Sequence, residues 1–213
     1  MAGCHSCASD QSARRGSRDP ALRRILWIAL MANTLMFLVE MVASWLSGSV
    51  SLAADALDFF GDAANYGISL FVLGMGIAAR ARATLFKGGT MALFGLYVIG
   101  IALWRATTGS VPEADIMGAT ALLALVVNVG VAMLLFSYRG GDSNMRSVWL
   151  CSRNDAIANI AVILAAGGVL ATATGWPDIL VATIIATLNL SAAWQVIRQA
   201  RGEIRRVQSA PAP

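Results

Sequence analysis

The 213 residues are 57 % hydrophobic and only 13 % charged, with a mean hydropathy of +0.67, where ordinary soluble domains carry about a quarter charged residues. Such a composition excludes a water-soluble globular fold, and a bilayer is the solvent that fits. The formal charge of +4 raises nucleic acid as a partner, but the placement of the basic residues excludes it. Arg14, Arg15, Arg18, Arg23 and Arg24 precede the first apolar block, Arg80, Arg82 and Lys87 lie between the second and third, Arg139 and Arg146 between the fourth and fifth, and Arg198, Arg201, Arg205 and Arg206 follow the sixth. The other connections carry only Arg105. This alternation is the positive-inside pattern and predicts that both termini are cytoplasmic.

Residues 1–20 are polar, rich in Gly, Ser and Arg, and read as a flexible cytoplasmic tail. The first apolar block is too long for the core of a cleaved signal peptide and lacks a small-residue cleavage site, so it reads as a retained helix, about Ala21 to Leu46. Ser47-Gly48-Ser49 makes a very short outside turn that sends helix two, about Ser51 to Ala79, back antiparallel. Helix three follows over about Thr84 to Thr107 and helix four over Pro112 to Tyr138, with Pro112 placed in its first turn. Gly140-Gly141-Asp142 turns into helix five, Asn144 to Thr174, and Gly175-Trp176-Pro177 breaks the chain before helix six, Asp178 to Val207. The predicted fold is therefore all-α, an integral membrane bundle of six transmembrane helices over 21–207, with a short tail at 208–213. Too few residues remain for a soluble core. Cys4, Cys7 and Cys151 form no disulfide framework and are expected to be reduced thiols.

Ionised groups at mid-bilayer cost several kcal/mol, so helices keep them only where they face an interior site or a watery cavity. Helix two carries Asp55, Asp58 and Asp62, and helix five carries Asp155 with Cys151 one turn earlier. Asp58 and Asp62 are four residues apart and so share one helix face, as do Cys151 and Asp155. Two such pairs supply the four convergent ligands of a tetrahedral, zinc-like ion. Depth is compatible: each pair lies about 10–17 Å along its helix from opposite ends, near the middle of a core of about 30 Å. A thiolate among carboxylates shifts preference from Mg²⁺ or Ca²⁺ toward Zn²⁺ first and Cd²⁺ second. Cys151 as a small buried hydrophobe, with the aspartates as helix-bonding groups, is the competing reading.

The segments N-T-L-M-F-L-V-E in helix one, S-G-S-V-S-L-A-A-D-A-L-D-F-F-G-D-A-A-N in the turn and helix two, and R-N-D-A-I-A-N in helix five resemble the cation diffusion facilitators, proton-coupled exporters of divalent metals. The resemblance covers the whole membrane region and implies a metal site at Asp58, Asp62, Cys151 and Asp155. The family usually has His at the position of Cys151, so selectivity and proton coupling do not transfer directly. Most members also have a cytoplasmic C-terminal domain, and this chain stops at Pro213 without it. A homodimer is then expected to be held mainly by membrane helices.

Crowded carboxylates and a thiol at low dielectric cannot all be ionised when no metal is bound. Metal and protons therefore exclude one another. The expected activity is efflux of Zn²⁺ or Cd²⁺ in exchange for H⁺ in the plasma (inner) membrane, with no other cofactor. The alternative is a non-transporting metal sensor or docking subunit. An enzyme is not expected, because no His-Glu zinc motif, Ser/His pair or phosphate loop appears. Glu40, Asn33, Asn65, Asn128 and Asn159 read as interhelical hydrogen-bonding groups, Asp55 as a supporting or entrance charge, and Asp178 as a first-turn carboxylate. Arg153 turns to another face than Cys151 and is expected to pair or snorkel. Cys4, His5 and Cys7 form a cluster able to chelate a soft metal, with an inert tail as the competing reading.

Overall fold

The computed structural model describes residues 20–71, 77–136 and 143–209; in the fifth helix, side chains are described from Asp155 onward. Most of the N-terminal tail, with Cys4, His5 and Cys7, the Gly140-Gly141-Asp142 turn, the last four residues and the side chains of Cys151 and Arg153 lie outside the described residues. The rest forms six helices: α1 Pro20–Ser47, α2 Val50–Phe71, α3 Ile77–Thr108, α4 Ala114–Phe136, α5 Ser143–Thr172 and α6 Trp176–Ser209.

Five of the six are long and apolar enough to cross a membrane. The remaining one, α2, is long enough at 22 residues but carries Asp55, Asp58 and Asp62. The surface is that of a protein dissolved in hydrocarbon: Leu35, Leu103, Leu164 and Leu188 are each more than 60 % exposed, while Asn33, Glu40, Asp55, Asn159 and Asp178 are buried. A water-soluble fold has the opposite distribution of ionisable groups. This is a multi-pass membrane protein.

Helix α2 is the hub. It packs against α1, α3, α5 and α6, while α3 lies along α6 and α4 along α5. Small residues allow the α3–α6 approach: a Cβ on Gly88 would meet Ile197 Cγ1 at 2.8 Å, and one on Gly95 would meet Leu190 at 3.0 Å. Phe60 of α2 bridges Phe37 of α1 and Phe94 of α3, with ring centroids 5.6 and 6.2 Å apart.

The three described turns gather at the end of the bundle opposite the termini. Gly48 takes φ +71°, the left-handed geometry that ends a helix and that glycine adopts without strain. Ser49 Oγ then accepts from Leu52 N at 3.2 Å, a local N-cap for α2. Glu113 N donates to Ser47 O at 2.9 Å, tying the second turn to the first. Gly175 comes so near Ser110 that a Cβ would stand 2.4 Å from its carbonyl oxygen, tying the third turn to the second.

Several boundaries differ from those expected. Helix α4 starts at Ala114, and Met117 N donates to Glu113 O, so Pro112 precedes the first turn. Helix α3 starts at Ile77, which places Lys87 about three turns inside it. Trp176 and Pro177 do not break a helix but begin α6, and the bend falls at Ala173, with φ 52°.

Candidate metal centre

A cavity of about 360 Å³ lies between α2, α3, α5 and α6. Its polar lining is Asp58, Asp62, Asn65, Lys87, Asp155 and Asn189. Three of the four residues expected to form the site therefore share one cavity, and the fourth, Cys151, belongs to α5 one turn before Asp155. The cavity runs from Asp58 toward the end of the bundle that carries the termini, since Asn65, Lys87 and Val196 also line it. On the other side of Asp58 the interior is closed by Val50, Leu52, Ala54 and Leu57, all buried.

The carboxyls of Asp62 and Asp155 line the same cavity, from α2 and α5. Tyr66, one turn after Asp62 and fully buried, places its hydroxyl 3.4 Å from Asp62 Oδ2. Asp58 and Asp155 are partly exposed, into the cavity they line. Among the described residues, no three His, Cys, Asp or Glu side chains already form a set that could hold a metal ion. The arrangement is a loose acidic cavity, with ligand-type groups on two facing helices.

Asn189 and Lys87 complete it, and neither was singled out as a site residue from the sequence. The Asn189 side chain donates to Ala54 O at 3.4 Å and lines the cavity with Asp58. The signal for it was its place on the buried stripe Ala182, Ile185, Asn189, Ala193 of α6. Lys87, only 7 % exposed, donates to Asn65 Oδ1. By sequence it falls among the basic residues between helices, yet it continues the buried stripe Met91, Val98, Ala102 of α3 by one turn.

Other polar groups behave differently from expectation. Among the described residues, the amides of Asn33 and Asn159 each donate to their own helix, to Ala29 O and Asp155 O, both at 2.8 Å, and not to a neighbouring one. Glu40 and Asp55 meet carboxyl to carboxyl, fully buried, and no N–H or O–H donor among the described residues reaches any of their four oxygens. Asp178 does lie in the first turn of α6, but its carboxylate caps another helix: it accepts from Ser49 Oγ at 2.7 Å, Val50 N at 2.8 Å and Ser51 N at 3.0 Å.

Residues 26–204 match the cation efflux transmembrane domain, and the chain belongs to the cation efflux family. It is 26 % identical over 196 residues, 84 % of its own length, to a cadmium, cobalt and zinc/H⁺–K⁺ antiporter of Bacillus subtilis, of which it covers 62 %. It is 24 % identical over 203 residues to the zinc transporter ZitB of Yersinia pestis, covering 88 % of this chain and 64 % of that one. A probable cation efflux system protein of Mycobacterium tuberculosis is 32 % identical over 200 residues, 86 % of this chain and 58 % of that protein. The chain thus spans somewhat under two thirds of the length of these relatives.

Proposed function

We propose that this protein exports divalent transition-metal ions, Zn²⁺ first and Cd²⁺ second, from the cytoplasm in exchange for protons. The metal is held in transit by Asp58, Asp62, Cys151 and Asp155, and the protein acts as a homodimer in the plasma membrane, both termini cytoplasmic. The observation that carries the reading is the meeting of Asp58, Asp62 and Asp155, from two facing helices, in one cavity inside the bundle. Relatives named for zinc, cadmium and cobalt transport support the class of cargo.

The coupling follows from charge. Carboxyls crowded within a low-dielectric interior are not all ionised together, and Asp58, Asp62 and Asp155 line one cavity. A divalent ion takes the place of such protons, so each passage of the site exchanges one kind of cation for the other. Opening of the termini end admits metal from the cytoplasm, and opening of the end where the turns meet releases it.

Reconstitution into proteoliposomes tests this. Asp62→Ala and Asp155→Ala are each expected to reduce Zn²⁺ flux by more than about a hundredfold. Zinc uptake into inside-out vesicles is expected to rise with an inward-acid gradient and to fall when the gradient is collapsed. Flux indifferent to the gradient would sink the antiport claim.

A further inference from the structure

Lys87 lies outside the proposed ligand set, yet it stands in the same cavity. An ammonium kept from water needs hydrogen-bond partners and compensating charge. Asn65 Oδ1 accepts from its Nζ, and its charge acts on the Asp62 carboxyl. Asn65 follows Asp62 by three residues, so both project from one face of α2 toward α3. A divalent ion held at Asp62 and the Lys87 ammonium would therefore be like charges in one cavity of about 360 Å³.

We propose that Lys87 is a resident counter-cation of the metal site. Its positive charge balances Asp62 while no metal is bound, opposes the metal once it arrives, and so lowers affinity in favour of release. Like charges repel far more strongly in a protein interior than in water. The four-carbon lysine stem lets the ammonium withdraw toward the open end of the cavity when metal enters. The inference rests on the metal-site reading of Asp58, Asp62 and Asp155.

The test uses the full chain, with Zn²⁺ affinity measured in detergent by competition with a chromophoric chelator and flux measured in proteoliposomes. Lys87→Gln is expected to bind Zn²⁺ at least about tenfold more tightly, with KM and kcat for flux falling together because release slows. Lys87→Arg, which keeps the charge, is expected to bind more weakly than Lys87→Gln. A folded Lys87→Gln protein with unchanged or weaker affinity overturns the proposal. Should Lys87→Gln not fold, Asn65→Ala carries the test: it unties the ammonium from the amide, leaves Asp62 to it, and is expected to weaken Zn²⁺ binding. Unchanged or tighter binding in Asn65→Ala overturns the proposal equally. Asp62→Asn separates the two levels. If it keeps Zn²⁺ binding and flux, the metal-site reading falls; if it loses both while Lys87→Gln leaves affinity unchanged, only the counter-cation role falls.

Discussion

A single atom distinguishes the proposed ligand set from a purely carboxylate one, the sulfur of Cys151. Carboxylates alone select hard cations, whereas a thiolate among them favours Zn²⁺ and Cd²⁺. Cys151→Ser replaces the soft donor with a hard one of similar size. Its Cd²⁺ affinity is expected to fall on the order of tenfold, about 1.4 kcal/mol, with a smaller loss for Zn²⁺. In a Cys4→Ser, Cys7→Ser background, Zn²⁺ should also slow labelling of Cys151 by a membrane-permeant thiol reagent. No protection at saturating Zn²⁺ would remove Cys151 from the site. Asn189 acts at the same scale: it brings an amide from a third helix into the cavity that Asp58 lines.

At the scale of elements, the critical junction is where α6 begins. The N-terminus of any helix leaves backbone N–H groups without partners. For α2 these are met locally by Ser49 and, from 128 residues away in sequence, by the Asp178 carboxylate on Val50 N. Asp178 thus pins the first turn of α2, and the turn positions Asp58 and Asp62 about two and three turns further along. Asp178→Ala strands the Val50 and Ser51 N–H groups in a buried environment and is expected to destabilise the protein by about 1–3 kcal/mol. Asp178→Asn, with a single acceptor oxygen, should recover part of that. Thermal unfolding in detergent reads both, and equal melting of Asp178→Ala and wild type would contradict the cap.

For the whole molecule, the shape of the cavity depends on how closely α3 and α6 approach, because both line it. Gly88 and Gly95 hold that distance, with Ile197 and Leu190 filling the space their side chains would take. Gly95→Leu forces the helices apart at a packed seam and is expected to cost about 1–3 kcal/mol of stability. Because Asn189 and Lys87 ride on the separated helices, Zn²⁺ affinity should change as well. A Gly95→Leu protein with wild-type melting and wild-type Zn²⁺ affinity would show that the seam does not set the cavity.

Much of this architecture was written locally in the chain. A backbone in hydrocarbon must satisfy its own hydrogen bonds, so long apolar runs become helices whatever surrounds them. Charges that survive in such runs must face inward. That reasoning alone found six helices, the short Gly48 turn, and Asp58, Asp62 and Asp155, which the folded chain brings to one cavity. What the sequence could not decide is which helices meet. The Asp178 cap joins residues more than 120 positions apart, Asn189 of α6 shares a cavity with Asp58 of α2, and Lys87 changes from a loop charge to a cavity wall once α3 starts at Ile77. These depend on several helices packing together. Local composition determined that acidic groups would be inside the bilayer, and only the tertiary structure decided what positive charge and which amide stand beside them.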